Sequence, residues 1–277
     1  MLIIAILLFL LGLGLGSFVN ALAWRLHEQH TLKKKADPSL SILKGRSMCP
    51  NCRHPLNWHD LIPVLSWVSL KGRCRYCGKP ISRQYPAVEL ATGFIFALSY
   101  IFWAYNPSFN GQWLLLATWL SASVGLMALA IYDIRWMLLP NKIIYPTLAV
   151  AAAGRAAYLA VFEPRPGHAV WLWALSIAIA SGVFYILYIV SRGRWIGFGD
   201  VRLGLITGTL LADPYKSLGM IFVASLLGTL FVLPHLITNK KTMASKTPYG
   251  PFLIAATGIF VIFGDSLINW YKNLFGL

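Results

Sequence analysis

The sequence predicts an all-α, multi-pass membrane protein of about eight transmembrane helices, with one small hydrophilic segment between the first and the second. Three observations predict it. The first is composition: of 277 residues, 57% are hydrophobic and only 12% are charged, against about 25% charged in ordinary soluble domains. The second is a series of apolar runs at residues 1–24, 86–105, 112–132, 140–162, 169–190, 200–212, 216–237 and 251–271. Most are near the ~20 residues that span a bilayer; the run 200–212 is the shortest. The third is where the charge falls. A net charge of +15 would suit nucleic acid if the basic residues were interleaved with exposed aromatics on one folded face. Here they sit in short segments between apolar runs, as in membrane loops, which excludes nucleic acid as the partner.

The first run carries no positive residue ahead of it, and Arg25 follows it. A cleaved signal peptide has the opposite order, so Ala21-Leu22-Ala23 is not read as a processing site. The run is an uncleaved span with its amino end outside. Eight spans then place loops 27–85, 133–139, 191–199 and 238–250 in the cytoplasm. Of 24 Lys and Arg, only Arg155, Arg165, Lys216 and Lys272 fall elsewhere, leaving 20 in these loops or within three residues of them. That asymmetry fixes the orientation. The chain divides into the first helix (1–26), a cytoplasmic segment (27–85) and the remaining helices (86–277). Gly12 and Gly16 form a GxxxG, which favours close helix packing. Lys33-Lys34-Lys35 followed by Asp37-Pro38-Ser39 reads as a lipid-facing stretch.

All four cysteines lie in the hydrophilic segment, as Cys49-Pro-Asn-Cys52 and Cys74-Arg-Tyr-Cys77, with 21 residues between the motifs. Paired CxxC knuckles at this separation make a tetrahedral tetrathiolate zinc site. Cytoplasmic placement argues against disulfides. Four thiolates leave no open coordination position, so the site is structural. His54 and His59, between the knuckles, are read as surface residues.

The remaining chemistry lies in two aspartates. Asp133 ends the third span, and Asp200, behind Gly197 and Gly199, begins the sixth. Both therefore stand at the cytoplasmic membrane face. A carboxylate in a span costs roughly 2.5–3.5 kcal/mol on insertion scales, so it usually has a partner or a task. Two carboxyls held close in a partly dry site share a proton; one then acts as base on water and the other as acid on a carbonyl. The alternative is two independent carboxylates, capping helices or paired with Arg135 or Arg202. Asn20 and Glu89 are candidate polar lining for a cofactor, although helix capping or interhelical hydrogen bonding is the commoner role for each.

Several stretches together resemble one family. Gly16-Ser-Phe-Val-Asn20 with Arg25, CPNC, IPVLSW at 62–67, GRCRYCGKPIS at 72–82 and YPAVEL at 85–90 are similar to the opening helix and zinc segment of type IV prepilin peptidases. Asp133 with Leu138-Leu139-Pro140-Asn141, Gly197-Phe-Gly-Asp200 (a GxGD motif) and Thr247-Pro-Tyr-Gly-Pro-Phe252 resemble that family's membrane helices. One departure is Arg202, where the family commonly has Lys; charge is kept but donor geometry changes. The resemblance implies an aspartic endopeptidase of the bacterial inner membrane, with Asp133 and Asp200 catalytic. It would remove the basic leader of prepilins or pseudopilins of type IV pilus and type II secretion systems. It also implies N-methylation of the new amino terminus from S-adenosylmethionine, although no glycine-rich loop in a βαβ setting is present. The rival reading is a non-enzymatic transporter or assembly scaffold with a zinc-held docking loop. A transporter would show an internal repeat, and none is evident.

Overall fold

The computed structural model describes residues 1–31, 40–42, 45–103, 111–238 and 247–276. The Lys33–Lys35 and Asp37–Ser39 stretch lies outside them. The described residues form helices, and the sole β-type pairs among them are two isolated bridges, Met48 with Pro55 and Arg73 with Pro80. The chain makes two compact units, Met1–Ile101 and Phe102–Leu277.

The first unit holds α1 (Leu2–Thr31), a short 3-10 turn (Trp58–Leu61), α2 (Leu65–Ser69) and α3 (Gln84–Ile101). The GxxxG of α1 is a packing seam. A methyl group added at Gly12 would lie 2.7 Å from the Thr92 carbonyl oxygen, and one at Gly16 would lie 2.7 Å from the Glu89 Cα. Only glycine lets the two backbones approach this far. Asn20, buried on the same side of α1, donates to the Gly16 and Tyr85 carbonyls at 3.3 and 3.1 Å and accepts from Gln84 Nε2 at 3.3 Å. With residue 12 beside 93, 16 beside 89 and 20 beside 85, α3 runs antiparallel along α1. At the far end of α1, the Arg25 guanidinium donates to the carbonyls of Ser41, Ile42 and Gly45 and ties the departing chain down.

The second unit holds α4 (Gln112–Trp136), α5 (Asn141–Phe162), α6 (Pro166–Ser191), α7 (Phe198–Leu211), α8 (Pro214–Ile237) and α9 (Gly250–Phe275). α4 and α5 interlock reciprocally: a side chain at Gly125 would overlap Thr147, and one at Gly154 would overlap Thr118. α6 and α7 repeat the device, with Gly204 against the Ala180–Ser181 backbone and Gly208 against Ser176–Ile177. Ser176 and Ser181 donate across the seam to the carbonyls of Gly208 and Val201, at 2.8 and 2.9 Å.

Each of the eight apolar runs holds a helix among the described residues, but they do not all qualify as spans. Six helices are long and apolar enough to cross a membrane: α1, α4, α5, α6, α8 and α9. α3 has 18 residues and α7 has 14. At 1.5 Å per residue these reach about 27 and about 21 Å, against a hydrocarbon core of about 30 Å. The expected count of eight crossings is therefore not carried by length and apolarity alone. For α7 the reason is burial. Leu203, Ile206 and Thr207 are wholly enclosed by neighbouring helices, so α7 matches protein and not lipid.

Candidate functional site

In the second unit, the carboxyl end of α4 and the amino ends of α5, α7 and α9 meet at one end of the bundle, and the two aspartates lie there. Asp133 is in the last turn of α4, just before Met137 closes the helix in the left-handed conformation with its N–H on the Asp133 carbonyl at 2.8 Å. Its side chain is buried, 6% of the residue's surface being exposed. What holds it is the start of α9. A helix opens with four N–H groups that lack intrahelical partners. In α9, Pro251 has none to offer, and Phe252 and Leu253 turn back to the Tyr249 carbonyl at 3.1 and 3.2 Å. The Gly250 N–H remains, and it donates to Asp133 Oδ2 at 3.1 Å. A methyl group at Gly250 would stand 2.7 Å from that same oxygen, so this position requires glycine for space. The positive end of the α9 dipole faces the carboxylate.

Asp200 occupies the third residue of α7, behind Gly197 at the N-cap position. Its half-buried carboxyl folds back onto the Gly197 N–H, the back-bond that an acidic third residue supplies at a helix start. Neither glycine of the GxGD motif uses a positive φ. Gly199 instead permits close approach, since a methyl group there would meet the Leu139 side chain at 3.0–3.4 Å. Asp200 lies near enough to feel the charge of Asp133 and to act on the Tyr249 hydroxyl. Tyr249 is in turn placed by an edge contact on Phe184 at 5.7 Å and by Ser225 Oγ at 3.3 Å.

No ion pair involves either aspartate among the described residues. Arg202 reaches the Asn141 side-chain oxygen and lies over the Phe198 ring at 4.7 Å. Arg135 sits over Trp136. Arg202 thus ties the α5 and α7 starts together and Arg135 packs on its own helix, so neither pairs with a carboxyl, and each carboxyl is held by a backbone N–H group. A cavity of about 360 Å³ in this unit is elsewhere; Arg155, Lys216 and Asp265 line it, with Lys216 and Asp265 paired at 2.8 Å.

In the first unit the four cysteines converge: all four sulfur atoms lie within 4.8 Å of one another, and Cys49 and Cys77 are 4.0 Å apart. A zinc tetrathiolate with bonds of about 2.3 Å has sulfur–sulfur edges of about 3.8 Å, so the cluster fits such an ion with small contraction. The knuckles are near copies. Cys49 N–H bonds the His54 carbonyl as Cys74 N–H bonds the Lys79 carbonyl, and Arg53 and Gly78 N–H bond the Cys49 and Cys74 carbonyls. Arg53 and Gly78, each following the second cysteine, share the left-handed conformation, φ 57° and 67°. Burial pushes the Cys49 thiol up to about 12. At Cys74 burial acts in the same direction, but backbone N–H groups of Cys77 and Tyr76 outweigh it and hold the thiol at about 7. A cation is what would keep all four as thiolates.

Neither histidine is placed as a ligand. His54 stacks on Tyr76 of the other knuckle at 3.7 Å, and His59 lies 3.9 Å from Asp60. Burial opposes ionisation of Asp60, yet hydrogen bonds from Arg75 (2.7 Å), the Asn57 N–H and the Tyr76 hydroxyl prevail and hold its carboxyl below the usual range. Glu89 accepts the Val64 N–H at 2.7 Å and a bond from Ser17. It also borders a cavity of about 120 Å³ lined by Trp24, Trp67 and Cys74 among others. Asn20 is not in that lining.

Sequence reasoning missed Tyr249 and Gly250 as parts of the aspartate site. A glycine next to a proline at a helix start was the available signal. It also missed Gly204 and Gly208, a second small-xxx-small pair.

The chain was compared with known proteins. Residues 10–103 match the Bacterial Peptidase A24 N-terminal domain, and residues 120–233 match the Type IV leader peptidase family. Along its length the chain is similar to the prepilin leader peptidase/N-methyltransferase of Bacillus subtilis, with 30% identity over 97% of this chain and 98% of that protein. The protein of the same name from Aeromonas hydrophila is 30% identical over 97% of this chain and 94% of its own. That from Pseudomonas putida is 28% identical over 96% and 93%. No solved structure matches. Similarity that extends through both units and nearly the full length of these relatives means that the chain belongs to the type IV leader peptidase family.

Proposed function

We propose that this protein removes the leader of prepilins or pseudopilins at the cytoplasmic face of the bacterial inner membrane, with Asp133 and Asp200 as the catalytic pair. The observation that carries the reading is that these two carboxyls, from different helices, lie at one end of the bundle within electrostatic reach of one another and without a basic partner among the described residues. One carboxylate takes a proton from water while the other, protonated, donates to the scissile carbonyl. Half-buried Asp200 is the member that water reaches more readily. Gly250 N–H fixes one Asp133 oxygen, which orients the other. The substrate is a single apolar helix behind a basic leader. Its scissile bond must leave the helix to be attacked, and glycine at that point lowers the cost by about 1 kcal/mol relative to alanine. The cytoplasmic loops are basic as well, so bulk charge does not draw the leader to the enzyme. Anionic lipid holds both, at about 1 kcal/mol per basic residue near the surface.

The segment 27–85, between the first helix (1–26) and the helices from 86 onward, carries a structural zinc on Cys49, Cys52, Cys74 and Cys77. The second activity is N-methylation of the exposed amino terminus, for which S-adenosylmethionine supplies an electrophilic methyl group. Glu89 is the better of the two candidate residues for that donor, because it borders the cavity with Trp24 and Trp67; Asn20 is committed to joining α1 to α3. Incubating purified protein with a prepilin and S-adenosylmethionine, then weighing the products, tests the whole reading. The mature chain should lose its leader and gain one methyl group. An intact prepilin after prolonged incubation with folded, zinc-loaded protein would reject it.

A further inference from the structure

The zinc segment carries an apolar surface that the peptidase chemistry does not use. Trp58, Leu61, Ile62, Leu65 and Val68 are all exposed, Trp58 to 77%, Leu65 to 67% and Val68 to 59%. They lie on the 3-10 turn, on α2 and on the link between them, whose other side, with Ser66, Trp67, Leu70 and part of Leu61, faces the cavity beside Glu89. A cluster of this kind on a water-facing loop would be a liability.

Its position along α1 says what covers it. The Val64 N–H is held by Glu89 at 2.7 Å; Glu89 is bonded to Ser17, and its Cα abuts Gly16. The turn is thereby registered to residues 16–17 of α1. The uncharged run of α1 continues to Trp24, and Arg25 is its first charge. Eight residues at 1.5 Å each put Val64 about 12 Å to the membrane side of Arg25. The turn thus stands level with the uncharged run of α1, ahead of its first charge, where Phe18 is 45% exposed. Val64 itself has φ 61°, a costly conformation for a β-branched residue. The buried Glu89 carboxylate maintains this reversal, which leaves both Ile62 and Leu65 facing outward. Lys71 and Arg73, both exposed, follow directly, the order in which interfacial anchors place basic residues at the headgroups.

We infer that the turn from Trp58 to Val68 dips into the cytoplasmic leaflet, so that the zinc segment is a lipid-anchored platform and not a freely projecting loop. Its ligand is anionic bilayer lipid: acyl chain for Leu65, Val68 and Ile62, headgroup phosphate for Lys71 and Arg73.

The test uses full-length protein with Leu65→Cys or Val68→Cys, and Lys79→Cys on the second knuckle as the reference. Each is nitroxide-labelled with zinc in place and reconstituted in phosphatidylcholine–phosphatidylglycerol vesicles. Power-saturation spectroscopy compares access of oxygen, which concentrates in lipid, with access of a water-soluble nickel chelate. Zinc content certifies that each labelled protein is folded, and Ile62→Cys replaces any variant that loses metal. The oxygen-to-nickel ratio should be several-fold higher at 65 and 68 than at 79, with depths about 5–10 Å below the phosphates. Equal nickel access at all three positions would overturn the inference. So would shielding at 65 and 68 that arises only when prepilin is added, since the surface would then belong to substrate.

Discussion

Replacing Gly250 by alanine examines the aspartate site without touching either carboxyl. The added methyl would sit 2.7 Å from Asp133 Oδ2, where the Gly250 N–H now donates at 3.1 Å. Ordinary carbon–oxygen contact needs roughly 3.4 Å, so the carboxylate or the start of α9 must yield by about 0.7 Å. That shift pulls Asp133 from its donor and away from Asp200. Misplacement of a reacting group by about 1 Å costs on the order of 100-fold in rate, and loss of one hydrogen bond to a charged group weakens positioning by about 1.5–3 kcal/mol. Leader cleavage should therefore fall by roughly 10- to 100-fold. Expression and zinc content should be unchanged, because the four cysteines lie in the other compact unit. Methylation of a pre-cleaved, unmethylated pilin should also persist. The assay is a time course of the gel shift from prepilin to pilin at matched enzyme concentration. Cleavage within two-fold of wild type would refute the claim that the amino end of α9 positions Asp133.

Three further outcomes follow from the same geometry. Metal analysis of freshly purified, reduced protein should find about one zinc per chain; Cys49→Ser should lower it and loosen the 45–82 region to proteolysis, and a metal-free wild type would remove the zinc assignment. Arg53→Gly should leave thermal stability unchanged or raise it by about 1 kcal/mol, since φ 57° favours glycine and the Glu28 contact it gives up is an exposed 3.4 Å pair; a clear loss of stability would show that the pair matters more than the backbone. Asp265→Asn should cut cleavage by less than two-fold, because that carboxylate pairs with Lys216 beside the larger cavity, apart from the aspartates; a large loss would tie that cavity to the reaction.

Much of this was readable in the residues, for physical reasons. Long apolar runs mark helices, and each run holds a helix among the described residues. Two CxxC motifs mark a tetrathiolate because thiolates at that spacing turn inward, and the four sulfurs do converge. Whether Asp133 and Asp200 approach one another was open from spacing alone, since they are far apart in the chain and their separation depends on how α4, α7 and α9 pack. Tyr249 and Gly250 were harder still: Gly250 acts through a leftover N–H at a helix start, visible only once the hydrogen bonds of α9 are traced, and Tyr249 through a ring set beside Phe184 and Ser225. The shortness of α7 was legible, but its meaning was not. A 14-residue helix reads as a weak span until its neighbours show that protein, and not lipid, surrounds it. Glu89 illustrates the remaining ambiguity. As a sequence feature it was a candidate cofactor residue or a helix partner; in the fold it braces the strained Val64 turn and borders a cavity at once.

The two-aspartate mechanism rests on one comparison: leader cleavage by Asp133→Asn, Asp200→Asn and the double variant, at matched expression and with zinc content verified. If the carboxyls act as one unit, each single change abolishes cleavage and the double variant is no worse than either. In the wild type, the pH profile of cleavage should be bell-shaped, as a shared-proton pair requires. Wild-type-like cleavage by either single variant would contradict the mechanism, even though the chain's place in its family would stand.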